Sequence, residues 1–457
     1  MFFRQMETWM IFILLISPAL SLHCRSSSPL PYTMMSTKTG YIQLMKTMAN
    51  PEEVSVPNCV ALHLWSVVRH GTRYPSKQAI KLMHGELQQL RVEILEAVDE
   101  GRSLLCDGDV EELKKWQLDV NEDQAKLLHP EGEKEMVLLG ERWLNRLPEL
   151  LNTYQEENFR LRSTNTQRSQ QSGHSFTTGL WTRLVGRKVK WEQVVVPHDP
   201  IIRFYKLCNR WKREVKKNPE SMKERHRFEE SRLINDMRQN MTTLLGLNSI
   251  LSMDDLDIMY VMCNFDLAWS AAVHSAWCGM FNTFQLELLE YREELEYFWV
   301  DGPGYSVTGQ QACVLARDMV DTFRNISMGM DRRGTFYFTH SGTILKLLTF
   351  LRINQDDSTL RSDNAMEMMS RSWRTSTMGP FGANVAFVLE KCEEEQGVVW
   401  RVGLWVNEVL TIIPGCEEVW CRMEEFLEMF PEIENCDFHD ICKDEAGEHI
   451  DLPDDKY

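Results

Sequence analysis

Apolar runs predict strands in two separate parts of the chain. Residues 60–68 form one run with the length and composition of a buried strand. Residues 189–197, 335–338, 386–389 and 398–406 are rich in β-branched and aromatic side chains and predict further strands. We therefore expect one sheet that is assembled from both parts of the chain.

Helical patterns occupy most of the remaining chain. Between residues 82 and 98, leucine, isoleucine and valine recur at steps of three and four positions. Residues 133–147 predict a second helix, which ends at Pro148. From 199 to 304 the chain is charged and amphipathic, which is typical of helices with one solvated face. The predicted fold class is α/β, a mostly parallel sheet flanked by helices, with an inserted α-helical domain.

The chain has 457 residues, more than one hydrophobic core usually fills, so two domains or one large core with an insertion is expected. The predicted divisions are a signal peptide at 1–21, an N-terminal leader with little core signal at 22–55, an α/β core at 56–198 and 305–450, and a helical insertion at 199–304.

The N-terminal segment predicts secretion. Residues 9–16 are apolar and are followed by small residues up to Ser21, which is the pattern of a cleavable signal peptide and too short for a stable membrane span. Twelve cysteines then predict disulfides, and glycosylation sequons begin at Asn240 and Asn325. The final residues 454–457 are not an endoplasmic-reticulum retention signal, so a secreted or lysosome-like destination is expected.

The charge of the chain limits its partners. The formal net charge is −17, and such an acidic chain binds nucleic acid or an anionic membrane poorly. A polyanionic small molecule would need a pocket that is locally basic. The functional interpretation therefore depends on where arginines cluster in the sequence.

One such cluster follows the first predicted strand. His70 lies between Arg69 and Arg73, and Gly71 allows a sharp exit from the strand. Strand ends are where α/β sheets place ligand sites. Arginine forms paired, charge-assisted bonds to phosphate, and the imidazole is placed to attack phosphorus. An ordinary basic turn is the alternative interpretation.

Two later segments add candidate residues. Arg168, Ser172 and Phe176 recur at four-residue steps, which places them on one helix face with Arg168 near the start of the helix. Backbone N–H groups at a helix start favour an anion. His340 closes another predicted strand, and Gly342 follows it closely. Taken singly, each residue has a simpler interpretation without a functional role: Arg168 as a solvated arginine and His340 as a histidine packed in the core.

The first cluster resembles the RHGxRxP signature of the histidine phosphatase superfamily, branch 2, the histidine acid phosphatases and phytases. All five fixed positions match: Arg69, His70, Gly71, Arg73 and Pro75. The resemblance implies that His70 forms a phosphohistidine while Arg69 and Arg73 hold the phosphate. It implies a further clamp from Arg168 and a hydrogen bond from His340 to a phosphate oxygen. It also implies chemistry without a metal or a cofactor.

The chain departs from this family directly after His340. Branch-two enzymes usually have a carboxylic acid there, as His-Asp or as His-Ala-Glu, which protonates the leaving alkoxide. Ser341 and Gly342 cannot do so at neutral pH. Three interpretations stay open: another carboxylate substitutes, a water does, or the chain is a poor or inactive enzyme.

Further marks resemble the multiple inositol polyphosphate phosphatases more than the fungal phytases. They lie at 202–205, 275–278, 302–305, 380–384 and 407–416 and mostly concern packing, turns and disulfides. The resemblance implies the cysteine pairs 59–392, 263–278 and 416–421, and a pair of Cys208 with Cys436 or Cys442. Connectivity does not follow from spacing alone.

The leading prediction is a secreted phosphomonoesterase that acts on inositol polyphosphates. The alternative is a non-catalytic relative, a secreted phospholigand-binding or interaction protein that kept the arginines and lost the acid. A phosphoglycerate-mutase-like activity is disfavoured, because a signal peptide does not suit glycolysis.

Overall fold

The computed structural model describes Cys24 and residues 33–47, 57–181, 189–270 and 275–443. The predicted signal peptide lies outside these residues. The described residues form a seven-stranded sheet. Its strands are β1 Cys59–Arg69, β2 Phe159–Ser163, β3 Gly334–Thr339, β4 Asn384–Glu394, β5 Gly397–Val406, β6 Val409–Thr411 and β7 Trp420–Arg422.

The sheet is mixed, which corrects the expectation that it is mostly parallel. The strand order is β2-β3-β1-β4-β5-β6, with β7 also paired to β5. Only β2, β3 and β1 run parallel, and the pairings from β1 to β4 onward are antiparallel. For β4 and β5 the physical reason is the tight turn between them, where Gly397 has φ 126°. A turn this short joins only antiparallel strands.

Helices cover both faces of the sheet, as predicted. They are α1 Tyr41–Thr47, α2 Lys77–His84, α3 Glu86–Asp99, α4 Asp107–Lys115, α5 Pro130–Arg146, α6 Pro148–Leu151, α7 Gln167–Trp181, α8 Asn209–Trp211, α9 Lys223–Glu229, α10 Arg232–Leu245, α11 Met253–Trp269, α12 Thr283–Val300, α13 Ser306–Gln310, α14 Cys313–Ser327, α15 Ser341–Phe350, α16 Thr375–Met378, α17 Met423–Met429, α18 Pro431–Glu434 and α19 Phe438–Cys442.

The alternation of side chains along β1 divides the core into two layers. Leu64 and Val68 pack with residues of α5 and α7 on one face. Trp65 and Val67 belong to the larger cluster on the other face, which includes α11, α12, α14 and α15. Among the described residues from 199 to 304, all regular structure is helical. The boundaries of the insertion itself remain a prediction.

The prediction of a strand at 189–197 is wrong. This segment lies outside the sheet, and Glu192 N–H donates one backbone hydrogen bond to Leu161 of β2 (2.8 Å). The edge strand is β2 itself, which the apolar pattern does not reveal because arginines interrupt it. Arg160 pairs with Glu192 (2.6 Å) and with Asp318 (2.8 Å).

The N-terminal leader contributes to the core, contrary to the expectation of little core signal. Within the described part of it, Tyr41 and Leu44 of α1 are buried. Lys38 forms a buried ion pair with Glu293 of α12 (2.8 Å). The segment from 33 to 47 therefore joins the sheet to the helical region.

Six disulfides link the twelve cysteines. The three specific pairs implied by the resemblance are present, and Cys208 pairs with Cys442. Two pairs were not anticipated, Cys24–Cys106 and Cys313–Cys436. Within the described ranges, no helix combines the length and the apolar character that a membrane crossing needs.

Candidate active site

The carboxyl ends of β2, β3 and β1 meet at one edge of the sheet. In the parallel pairing of β1 with β3, Arg69 lies opposite Thr339. His70 and His340 each follow one residue later, so the two histidines are neighbours. Their ring centroids are 5.5 Å apart, and the ring planes are inclined by 69°. The sheet topology thus brings together two residues that are far apart in the sequence.

The His70 ring is buried and has a defined hydrogen-bonding state. Its Nδ1 lies 2.9 Å from the Gly71 carbonyl oxygen, which can only accept, so Nδ1 carries the proton and Nε2 the lone pair. Burial lowers the pKa of His70 well below its usual value, and the charges of Arg168, Arg69 and Arg73 lower it further. The ring is therefore neutral and can act as a nucleophile.

The loop after His70 is fixed by α5 and α7. Gly71 N–H donates to Ser172 Oγ (3.1 Å), and a Cβ at Gly71 would lie 2.5 Å from the Gly132 carbonyl oxygen. Glycine is therefore required at this close approach. Thr72 donates its N–H and its hydroxyl to the Glu135 carboxylate (2.7 and 2.9 Å). Burial raises the pKa of Glu135 to about 7, against the effect of these hydrogen bonds.

Backbone carbonyls and an aromatic ring orient the arginines of the first cluster. Arg69 Nη1 donates to the carbonyl oxygens of Thr37 and Gly379, the second at 2.7 Å. Its guanidinium lies 4.5 Å from the centre of the Phe381 ring. Arg73 donates to the Tyr74 carbonyl oxygen (2.7 Å) and lies 5.9 Å from the same ring. Both guanidiniums are therefore held around one aromatic side chain beside His70.

Arg168 is the second residue of α7, and the predicted helix face is confirmed. Ser172 and Phe176 are both buried on the side of α7 that faces the His70 loop and the sheet. Among charged groups, Arg168 has the largest effect in lowering the pKa of both His70 and His340. Arg168 thus belongs to the same cluster as the two histidines.

His340 precedes α15 and is also buried. Its Nε2 lies 3.1 Å from the Thr164 hydroxyl. Burial lowers the pKa of His340 well below its usual value, followed by the charges of Arg168 and Arg203. The structure therefore brings all five predicted site residues into one cationic cluster, in which Arg69, His70, Arg73 and His340 are buried and Arg168 is partly exposed.

Sequence reasoning missed three members of this site. Thr164 follows β2, which the pattern did not predict. Phe381 and Arg203 lie in segments that served only as marks of relationship. Arg203 is brought to His340 because Thr343 Oγ1 donates to the carbonyl oxygen of the preceding residue, Ile202 (2.8 Å).

Two lysines that follow the first cluster, both in α2, lie at the surface. Lys77 and Lys81 pair with Glu122 at 3.1 and 3.9 Å. Their ammonium groups are mostly exposed, so solvation explains them without a ligand. Ser341 and Gly342 form the first turn of α15, and neither supplies a carboxyl group.

Comparison with known proteins gives a consistent result. The sequence model of the histidine phosphatase superfamily, branch 2, matches residues 62–404. The multiple inositol polyphosphate phosphatase 1 of Drosophila melanogaster is 29% identical over 442 residues, which cover 93% of this chain and 92% of that protein. The human protein of the same name is 26% identical, with 92% and 90% covered.

Solved structures share the fold. The phytase from D. castellii superposes with a TM-score of 0.68 at 13% identity, covering 90% of this chain and 87% of the other. The Bifidobacterium longum multiple inositol polyphosphate phosphatase in complex with inositol hexasulfate gives a TM-score of 0.62 at 14% identity, covering 85% and 95%. The mixed sheet with flanking helices is thus an arrangement that occurs in known proteins.

Proposed function

The chain belongs to the histidine phosphatase superfamily, branch 2, and from this premise we propose that it is a secreted phosphomonoesterase that hydrolyses inositol polyphosphates through a phosphohistidine. The observation that carries the proposal is the neutral, buried His70 ring among Arg69, Arg73 and Arg168. A lone pair on Nε2 beside three guanidiniums suits attack on a bound phosphate dianion.

The reaction has two steps at the same phosphorus. His70 Nε2 attacks in line, the N–P bond forms and the ester oxygen leaves. The arginines stabilise the charge on the equatorial oxygens, and His340 donates to one of them. Water then attacks the phosphohistidine, the N–P bond breaks and inorganic phosphate leaves.

The substrate class is supported by the relatives. Proteins similar over nine-tenths of this chain carry the name multiple inositol polyphosphate phosphatase 1. A substrate with several phosphates also explains why an acidic chain concentrates arginines in one pocket.

The alternative function is a phospholigand-binding protein without turnover. The replacement of the usual acid by Ser341 and Gly342 favours it. The neutral nucleophile and the oriented arginines favour catalysis, because binding alone does not need His70 to keep a lone pair.

The secreted protein is expected to release phosphate from inositol hexakisphosphate. Because the pKa of His70 is lowered, the nucleophile stays unprotonated below about pH 6.5, where an ordinary histidine gains a proton, so activity should persist into the acid range. The measurement is phosphate release against pH. Tight binding of inositol hexakisphosphate without any release would instead establish the alternative function.

Expression through the secretory pathway should yield an oxidised, glycosylated protein. The sequon residues Asn240 and Asn325 are exposed, and the cysteines are paired. Mass spectrometry after alkylation without reduction is expected to show blocked cysteines, with glycans at both asparagines. Mostly free cysteines would contradict secretion.

A further inference from the structure

A carboxylate from another part of the chain lies next to the position of the missing acid. Gly342 lies in α15 with a helical backbone, so the position tolerates a side chain. A Cβ there would be 3.5 Å from Asp301 Oδ1 and 3.4 Å from the Tyr205 ring carbon Cζ, which are ordinary contacts. A glutamate at this position has its carboxyl carbon two bonds beyond Cβ. The Asp301 carboxylate therefore lies where the carboxyl group of a glutamate at position 342 could reach.

A backbone hydrogen bond and an ion pair hold Asp301 at this place. It follows the last residue of α12, and its N–H donates to the Tyr297 carbonyl oxygen (2.8 Å). Its Oδ1 accepts a hydrogen bond from Lys346, which lies one turn after Gly342 on the same face of α15. The Lys346 side chain is fully buried, whereas Asp301 keeps 16% of its side chain exposed. Asp301 is thus the partner of the two that keeps contact with solvent.

The lysine is fixed by its own surroundings. Its ammonium nitrogen lies 4.2 Å from the centre of the Trp211 ring and 4.8 Å from that of Tyr205. Burial lowers the pKa of Lys346, and Asp301 acts in the opposite direction. The fixed ammonium therefore holds the Asp301 carboxylate in one place beside Gly342.

We propose that Asp301 is the proton donor to the leaving-group oxygen, replacing the acid that is absent after His340. This inference rests on the proposed phosphatase function. The acid then comes from the helical region rather than from the strand end that carries His340.

The proposed proton transfers balance over one turnover. As His70 Nε2 bonds to phosphorus and the ester P–O bond breaks, the leaving oxygen takes the proton of the Asp301 carboxyl group and departs as an alcohol. In the second step, the Asp301 carboxylate accepts a proton from the attacking water. The N–P bond breaks, phosphate leaves, and both His70 and Asp301 return to their initial states.

The test compares two leaving groups in one variant. An aryl phosphate such as p-nitrophenyl phosphate expels a stable phenolate, whereas inositol hexakisphosphate expels an alkoxide that needs a proton. Asp301→Asn is expected to lower phosphate release from inositol hexakisphosphate by about 10²–10⁴-fold and from the aryl phosphate by less than about 10-fold. Asp363→Asn, an exposed carboxylate paired with Arg361, is the matched control and should change neither rate.

Rescue separates a catalytic role from a structural one. The double variant Asp301→Asn, Gly342→Glu returns a carboxyl group to the same space, and it should recover alkyl hydrolysis by at least about 10-fold. The double variant Asp301→Asn, Lys346→Met removes the buried ammonium that the single change leaves without its carboxylate. It should fold, as judged by thermal unfolding, and keep the selective loss on the alkyl substrate.

The outcomes distinguish the two proposals. If the wild-type protein hydrolyses neither substrate, the phosphatase function itself fails. If it hydrolyses the aryl phosphate but Asp301→Asn lowers both rates equally or leaves both unchanged, the inference about Asp301 fails alone. The inference is also overturned if Tyr205→Phe, which removes the neighbouring hydroxyl, causes the selective alkyl loss and Asp301→Asn does not.

Discussion

Replacing His70 with alanine is expected to lower phosphate release from every substrate by more than about 100-fold while the fold is retained. In the proposed mechanism the ring carries the lone pair that forms the bond to phosphorus, and no change of leaving group compensates for a lost nucleophile. His70 N–H donates to Thr339 through the backbone (3.0 Å), so alanine keeps this contact with β3. The expected loss therefore falls on kcat rather than on stability.

The measurement needs a control variant at another histidine and a way to preserve the phosphohistidine for detection. His174→Ala changes an exposed histidine on α7, which no step of the mechanism uses, and it should retain wild-type rates. Rapid quenching in base during turnover preserves a phosphohistidine, which should appear in the wild-type protein and in His174→Ala only. If His70→Ala keeps more than about a hundredth of the wild-type rate, His70 is not the nucleophile.

Most of the site residues that sequence reasoning found lie at the beginning or end of a regular element. Arg69, His70 and His340 each lie at the end of an apolar run, so a buried strand and its exit are visible in the pattern itself. Arg168 is visible because Ser172 and Phe176 repeat its spacing on one helix face. Local periodicity is sufficient where a functional residue begins or ends a regular element.

The residues that were missed depend on contacts between distant segments. Arg203 reaches His340 only because Thr339 and Thr343 both donate to the Ile202 carbonyl oxygen. Asp301 and Gly342 come together because Asp301, directly after α12, pairs with Lys346 of α15. Sequence spacing contains no signal for such approaches.

The prediction that the strands are mostly parallel was wrong for a different reason. β4 and β5 were both predicted, but the two residues between them, Glu395 and Gln396, followed by Gly397, were not interpreted as a hairpin turn. Two residues followed by a glycine between two strands are a local sequence signal for antiparallel pairing, and Gly397 adopts the positive φ that such a turn uses. This part of the topology was therefore accessible from the sequence.

Arg69→Lys is expected to lower kcat/KM for inositol hexakisphosphate by about 10²–10³-fold, although the charge is conserved. The guanidinium is planar, and Nη1 is already hydrogen-bonded to the carbonyl oxygens of Thr37 and Gly379. These bonds fix the direction of the whole plane over the Phe381 ring. A lysine has one nitrogen, so it must either remain at the carbonyls or turn to the phosphate.

The same variant also separates catalysis from binding. Arg232→Lys is the control, because Arg232 is exposed and pairs with Asp236 at the surface, and it should behave as the wild-type protein does. If the chain is an enzyme, Arg69→Lys is expected to lower turnover, because in the proposed mechanism the guanidinium contacts the phosphate that is transferred. If the chain only binds polyphosphates, titration calorimetry with inositol hexakisphosphate should show weaker affinity for Arg69→Lys in a protein without turnover. Unchanged turnover together with unchanged affinity would mean that Arg69 does not contact the phosphate, because neither function then depends on its planar group.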